Sequence, residues 1–144
     1  MATRVGFIGA GLMGHGMARN IVGKGYQLTV LAHRNRAPIE DLLGRGAKEA
    51  KSPAAVARAS DIVILCVPSS VEVELCVLAE NGIMAGAHEG LIVVDSTTAE
   101  PASTARSVRV RAAHRLEVHH AGRRGRRAVR LADARRDRRG RVAP

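Results

Sequence analysis

The residues best suited to chemistry lie near the amino terminus, where Gly9-Ala10-Gly11-Leu12-Met13-Gly14 spaces its glycines as G-x-G-x-x-G. A pattern this short is common in proteins, so its meaning depends on what flanks it. Thr3 to Ile8 reads as a short apolar strand, and Met13, Met17, Ile21 and Val22 recur at helical spacing after the turn. In such a strand–turn–helix unit the first glycine makes the tight turn and the second lets the backbone approach a diphosphate. The third seats the helix against the strand. Unpaired N–H groups and partial positive charge at the helix start favour an anion there, by roughly 0.3–1 kcal/mol for the dipole contribution. The expected ligand is a dinucleotide held by Gly9, Ala10, Gly11, Leu12, Met13 and Gly14. A glycine turn serving close packing alone is the competing reading.

About twenty residues further on, a domain that binds NAD commonly offers Asp or Glu to the ribose 2′-hydroxyl, whereas this chain offers Arg34, Asn35 and Arg36. A guanidinium there can grip a 2′-phosphate in a bidentate, charge-assisted contact worth roughly 1.5–3 kcal/mol. NADP is therefore the expected cofactor and NAD the weaker candidate; a solvated basic loop without a ligand is the alternative. Val67 and Pro68, with Ser69 and Ser70 after them, are placed to line the nicotinamide or ribose, and Ser96, Thr97 and Thr98 to offer hydroxyls. His15 is expected at the surface without a catalytic role, since no partner carboxylate can be argued near it. His33 and His88 carry no sharper reading, and His119-His120 lacks a third ligand at useful spacing, so no metal site is expected. Cys66 and Cys76, ten residues apart and outside any C-x-x-C pair, read as free thiols.

The elements that must position these residues alternate. Tyr26 to Ala32 forms a second β-rich run ending on the basic loop. Pro38 to Leu43 reads as a short helix, and Ala47 to Ala50 as a short third strand. Ser52 is a natural N-cap with Pro53 at the first helical position. Ile62 to Val67 is continuously apolar, as a parallel strand covered on both faces requires. Val71, Leu75 and Leu78 follow at helical spacing, and Leu91 to Val94 supplies a further buried strand. The implied fold class is α/β: a Rossmann-type doubly wound parallel sheet whose ligands sit at the carboxyl ends of its strands. With Tyr26 and Phe7 its only aromatic residues, the core must rest on aliphatic side chains.

The run Phe7-Ile8-Gly9-Ala10-Gly11-Leu12-Met13-Gly14-His15-Gly16-Met17-Ala18-Arg19-Asn20-Ile21 resembles the amino-terminal signature of the β-hydroxyacid dehydrogenases, which include 3-hydroxyisobutyrate and 6-phosphogluconate dehydrogenases. The resemblance continues through Gly25-Tyr26, Arg34-Asn35, Asp61 to Pro68, Asn81-Gly82-Ile83 and Asp95-Ser96-Thr97-Thr98, and ends near Pro101. It implies cofactor contacts at the glycine turn, Arg34, Asn35, Val67, Pro68 and Thr98, with Glu72 standing where relatives often carry an amide. It also implies an oxidoreductase moving hydride between NADP and a small 3-hydroxy acid. The family's Gly-Gly substrate loop, catalytic lysine and helical second domain have no counterpart here, and residues 102–144 contain no lysine. The expectation is an incomplete relative: a dinucleotide-binding domain over 1–101 and a tail over 102–144, inactive by itself, with a hydroxy-acid substrate only in an intact relative.

Charge divides the chain at the same place. Residues 1–105 hold nine Lys and Arg against ten Asp and Glu, whereas residues 106–144 hold fourteen Arg and no Lys against three acids. Beyond about Ala105 no strand or amphipathic helix is expected, and the tail reads as disordered or irregular. Arginine without lysine is odd for a basic arm, because both serve phosphate contacts. A shifted reading frame in GC-rich DNA explains it better. A small NADP-binding sensor and a nucleic-acid-binding arm remain as alternatives, the second weakened by the lack of aromatic stacking residues. No apolar run approaches the roughly 18 residues of a membrane span, and no leader peptide is evident, so a cytoplasmic protein is expected.

Overall fold

The computed structural model describes residues 2–97 and the backbone of residues 117–120. Its strands are β1 (Arg4–Ile8), β2 (Gln27–Leu31), β3 (Lys48–Ala50), β4 (Ile62–Leu65), β5 (Ile92–Asp95) and β6 (Glu117–His120). Between them run α1 (Leu12–Gly23), α2 (Arg36–Gly44), α3 (Pro53–Arg58), α4 (Ser70–Leu78) and the single turn α5 (Ile83–Gly86). The strands form one sheet in the order β3-β2-β1-β4-β5-β6, and every pairing is parallel. The chain leaves β1 in one direction and returns through β4 in the other, so the order reverses between these strands. A crevice opens there at their carboxyl ends.

Alternation along the strands divides the core between the two sheet faces. Val5, Phe7, Leu28 and Val30 pack with Ile39 and Leu42 of α2 and with Ala18 of α1. Ile8, Val63, Leu65 and Val93 pack on the other face with Val56, Val73, Val77 and Ile83. Gly6 lets α3 press onto β1: a Cβ there would lie 2.5 Å from Val56 and 2.6 Å from the Ser60 hydroxyl. The Ser52 hydroxyl accepts the Ala55 N–H at 3.2 Å and Pro53 opens α3, matching the cap expected from sequence.

The apolar spacings of α1 and α4 mark the helices expected there without marking their buried faces. Met13, Met17, Val71, Leu75 and Leu78 are exposed, while Gly14, Ala18, Val73 and Val77 are buried. Gly14 and Ala18 bring the start of α1 close to the sheet, so Leu12, Met13 and Met17 point away, while Ile21 and Val22 near its end pack against the core. A strand also occurs where none was expected: β6, at residues 117–120, pairs in parallel with β5. One apolar residue in Glu-Val-His-His gives no usable strand pattern, and the pairing is made by backbone groups instead.

Candidate functional site

The glycine turn stands at the crevice between β1 and β4. Gly9 has φ +100, and a Cβ on it would lie 2.1 Å from the carbonyl oxygen of Cys66 at the end of β4. Only glycine holds that conformation without strain, and only glycine leaves room for the neighbouring strand. A Cβ on Gly14 would lie 2.0 Å from the Gly9 carbonyl oxygen, so this glycine seats α1 against the turn. Gly11 differs, because apart from its chain neighbours no atom of the described residues would lie within 4 Å of a Cβ placed there. The approach to the helix start is open. Gly11 is also the N-cap of α1, which has no side-chain cap and no acidic residue in its first turn. Donors of that first turn are therefore left for an anion.

Above the turn lies a cleft of about 590 Å³, lined by Gly9, Gly11, Leu12, Met13 and Gly14, by Cys66, Val67 and Pro68 after β4, and by Leu31 and His33 at the end of β2. Glu72, Leu75 and Cys76 of α4 complete its wall. Burial and the nearby Glu72 carboxylate push the Cys76 thiol above its ordinary pKa. A second cavity of about 370 Å³ meets the first at Gly11 and Leu12 and is lined by His15, Asn35, Ala37 and Pro38 as well. Its volume and apolar walls, with a few polar groups at one rim, suit the cleft to a nucleotide.

The structure thus gathers most of the residues singled out from sequence. Ala10 is buried beneath the turn, in the core cluster under α1. Arg34 and Asn35 are exposed at the end of β2, and Arg34 makes no ion pair among the described residues. Arg36 belongs to α2, where its guanidinium is paired with the Glu49 carboxylate of β3. That contact holds Glu49 below the ordinary carboxylate range. Ser96 and Thr97 do not line the cleft. The Ser96 hydroxyl donates to the Leu65 carbonyl at 2.6 Å, and the Thr97 hydroxyl accepts the Val67 N–H at 3.2 Å, so both tie the ends of β4 and β5 together. Thr98 lies outside the described residues.

Other site residues were missed. Leu31, His33, Leu75 and Cys76 line the cleft. His33 could have been found by its position just past β2, at the carboxyl edge where ligands bind. The ring nitrogen Nδ1 of His33 accepts the Asn35 N–H at 3.1 Å and shapes the turn that carries Arg34. His15 needs correction, for it does have a carboxylate partner: its Nε2 lies 2.8 Å from Asp41 Oδ2. That pairing spans 26 residues and two helices, so no local spacing signals it.

Comparison with known proteins agrees with this geometry. A family model described as the NAD binding domain of 6-phosphogluconate dehydrogenase matches residues 4–128. A 3-hydroxyisobutyrate dehydrogenase-like protein of Arabidopsis thaliana is 37% identical over 99 residues, covering 69% of this chain and 31% of its own length. A 3-hydroxyisobutyrate dehydrogenase of Dictyostelium discoideum is 40% identical over 104 residues, covering 72% of this chain and 32% of its own length. Among solved structures, the Mycobacterium tuberculosis 3-hydroxyisobutyrate dehydrogenase shares the fold at 22% identity, with a TM-score of 0.75 over 88% of this chain and 42% of that one. Psf3, solved in complex with NADP+ and 2-OPP, is 29% identical with a TM-score of 0.73 over 80% of this chain and 40% of that one. The chain spans about a third of the length of these curated relatives. Among the described residues no helix is long and apolar enough to cross a membrane. With a glycine turn that leaves its helix start open, and with that match over residues 4–128, the chain belongs to the family of the NAD binding domain of 6-phosphogluconate dehydrogenase.

Proposed function

We propose that this chain binds NADP in preference to NAD and serves as the cofactor half of an oxidoreductase acting on a small 3-hydroxy acid. Arg34 carries the choice of cofactor. It is an exposed guanidinium at the carboxyl end of β2, without an ion pair among the described residues, at the position where a carboxylate would select a free ribose 2′-hydroxyl. The diphosphate is held by the backbone from Gly9 to Gly14, where the open space at Gly11 fits its close approach. Arg34 and Asn35 take the 2′-phosphate, while Arg36, committed to Glu49, adds positive potential at the rim. Val67 and Pro68 line the far side of the cleft. Psf3, of the same fold, is described with NADP+ bound, which supports the reading. When bound, the cofactor supplies or accepts a hydride, and this chain's own residues bind and orient it.

The test is a titration of the full chain with NADPH and with NADH, followed by nucleotide fluorescence. NADPH is expected to bind at least about tenfold more tightly. Arg34→Ala should cost roughly ten- to hundredfold in NADPH affinity, the worth of a charge-assisted hydrogen bond, while leaving NADH affinity unchanged. Equal affinities for the two nucleotides in the unaltered chain would refute the reading.

A further inference from the structure

The His15–Asp41 pair is not accounted for by the dinucleotide cleft itself. His15 lies on α1 and lines the smaller cavity together with Asn35, the residue after Arg34. Asp41 of α2 holds the ring through Nε2 at 2.8 Å and is itself fixed by Arg45, whose Nε lies 3.0 Å from each carboxylate oxygen. Arg19 of α1 stands 3.6 Å from the same carboxylate. The other ring nitrogen, Nδ1, makes no hydrogen bond among the described residues. Around the ring one carboxylate therefore faces two guanidinium groups, so Asp41, Arg45 and Arg19 together give this corner a net positive charge. That sign attracts an anion.

We propose that His15 is a specificity-determining residue for the ribose 2′-phosphate, reached from the smaller cavity that it lines with Asn35, with Asp41 as its positioning residue. This inference rests on the NADP reading. With Nε2–H directed at Asp41, a hydrogen bond from Nδ1 to an ionised phosphate needs the ring protonated on both nitrogens. Such a ring would stand between the Asp41 carboxylate at Nε2 and the bound phosphate at Nδ1, with Arg19 and Arg45 near the same carboxylate.

The test compares NADPH with NADH, and 2′,5′-ADP with 5′-AMP, on the full chain and its His15→Ala, His15→Gln and Arg34→Ala variants, with thermal melts alongside. Both His15 variants should lose about tenfold in affinity for NADPH and 2′,5′-ADP and nothing for NADH and 5′-AMP. Equal losses for the phosphorylated and unphosphorylated ligands, or no loss for either, would mean that His15 only clamps α1 to α2, and the inference fails. If Arg34→Ala alone removes the preference, the NADP reading stands without this inference. If the unaltered chain shows no preference, both fall.

Discussion

The two edges of the sheet treat their polar groups differently. At the amino edge Arg4 donates to both oxygens of Asp61, at 2.7 and 3.3 Å, and its backbone N–H adds a third bond at 2.9 Å, so β1 and β4 close on each other. At the carboxyl edge four helices begin directly after a strand. Those of α3 and α4 are finished by the chain itself, through the hydroxyls of Ser52 and Ser69. Those of α1 and α2, starting at Gly11 and Asn35, have no side-chain cap, and their first turns border the cavities. Of the four helices that begin after a strand at this edge, the two that border the cavities at their first turns leave those donors without a side-chain cap, while the short α5 elsewhere is uncapped as well. The position of the ligand can therefore be read from what the protein declines to satisfy internally.

The glycine turn gives the largest effects and divides the comparison within six residues. Gly9→Ala combines a strained φ of +100 with a 2.1 Å approach to the Cys66 carbonyl, and should cost about 3 kcal/mol or more of stability, seen in denaturant melts. Gly11→Ala meets no atom of the described residues beyond its chain neighbours and has φ −79, so its melt should shift by less than about 1 kcal/mol, as an N-cap change does. Its NADPH affinity should nonetheless fall at least about tenfold, because the new methyl occupies space left to the ligand. If Gly11→Ala binds normally, the open start of α1 is not where the diphosphate sits.

How much of this was legible in the sequence follows from which contacts are local. The turn, the Ser52 cap and the continuous apolar run of β4 rest on neighbouring residues, and all could be read directly. The partners of His15 and Arg36 stand 26 and 13 residues away on other elements, so their ion pairs required the fold. The apolar spacing on α1 and α4 marked the helices but not which residues meet the sheet, where Gly14, Ala18, Val73 and Val77 are buried and Ile21 and Val22 pack at the border of the core. β6 escaped notice because its pairing draws on backbone groups, which an arginine-rich sequence neither advertises nor forbids.

A smaller effect is expected at the self-capped helices. Ser52→Ala removes the acceptor for the Ala55 N–H and should cost about 1 kcal/mol in a denaturant melt. Dinucleotide affinity should not change, since Ser52 borders neither cavity. Loss of NADPH binding without loss of stability would place ligand at the start of α3 and undo the division between open and closed helix starts.

The smallest effect belongs to the amino edge and appears only in acid. Hydrogen bonds from the Arg4 side chain and backbone push the Asp61 carboxyl down to about 2. Its folded pKa is therefore below the unfolded value near about 3.9, so the folded state binds fewer protons in that window. The stabilisation is complete above about pH 4 and is lost as pH falls toward 2. Asp61→Asn should lower the melting temperature slightly at neutral pH and flatten the acid limb between those values, so that the two melting curves converge near pH 2. NADPH affinity at neutral pH should stay unchanged, because the amino edge lies at the far end of β1 from the glycine turn. An equal acid limb in both proteins would mean that the Arg4–Asp61 closure contributes nothing in solution. The amino edge would then be as open as the start of α1, and the contrast between the edges would no longer single out a ligand site.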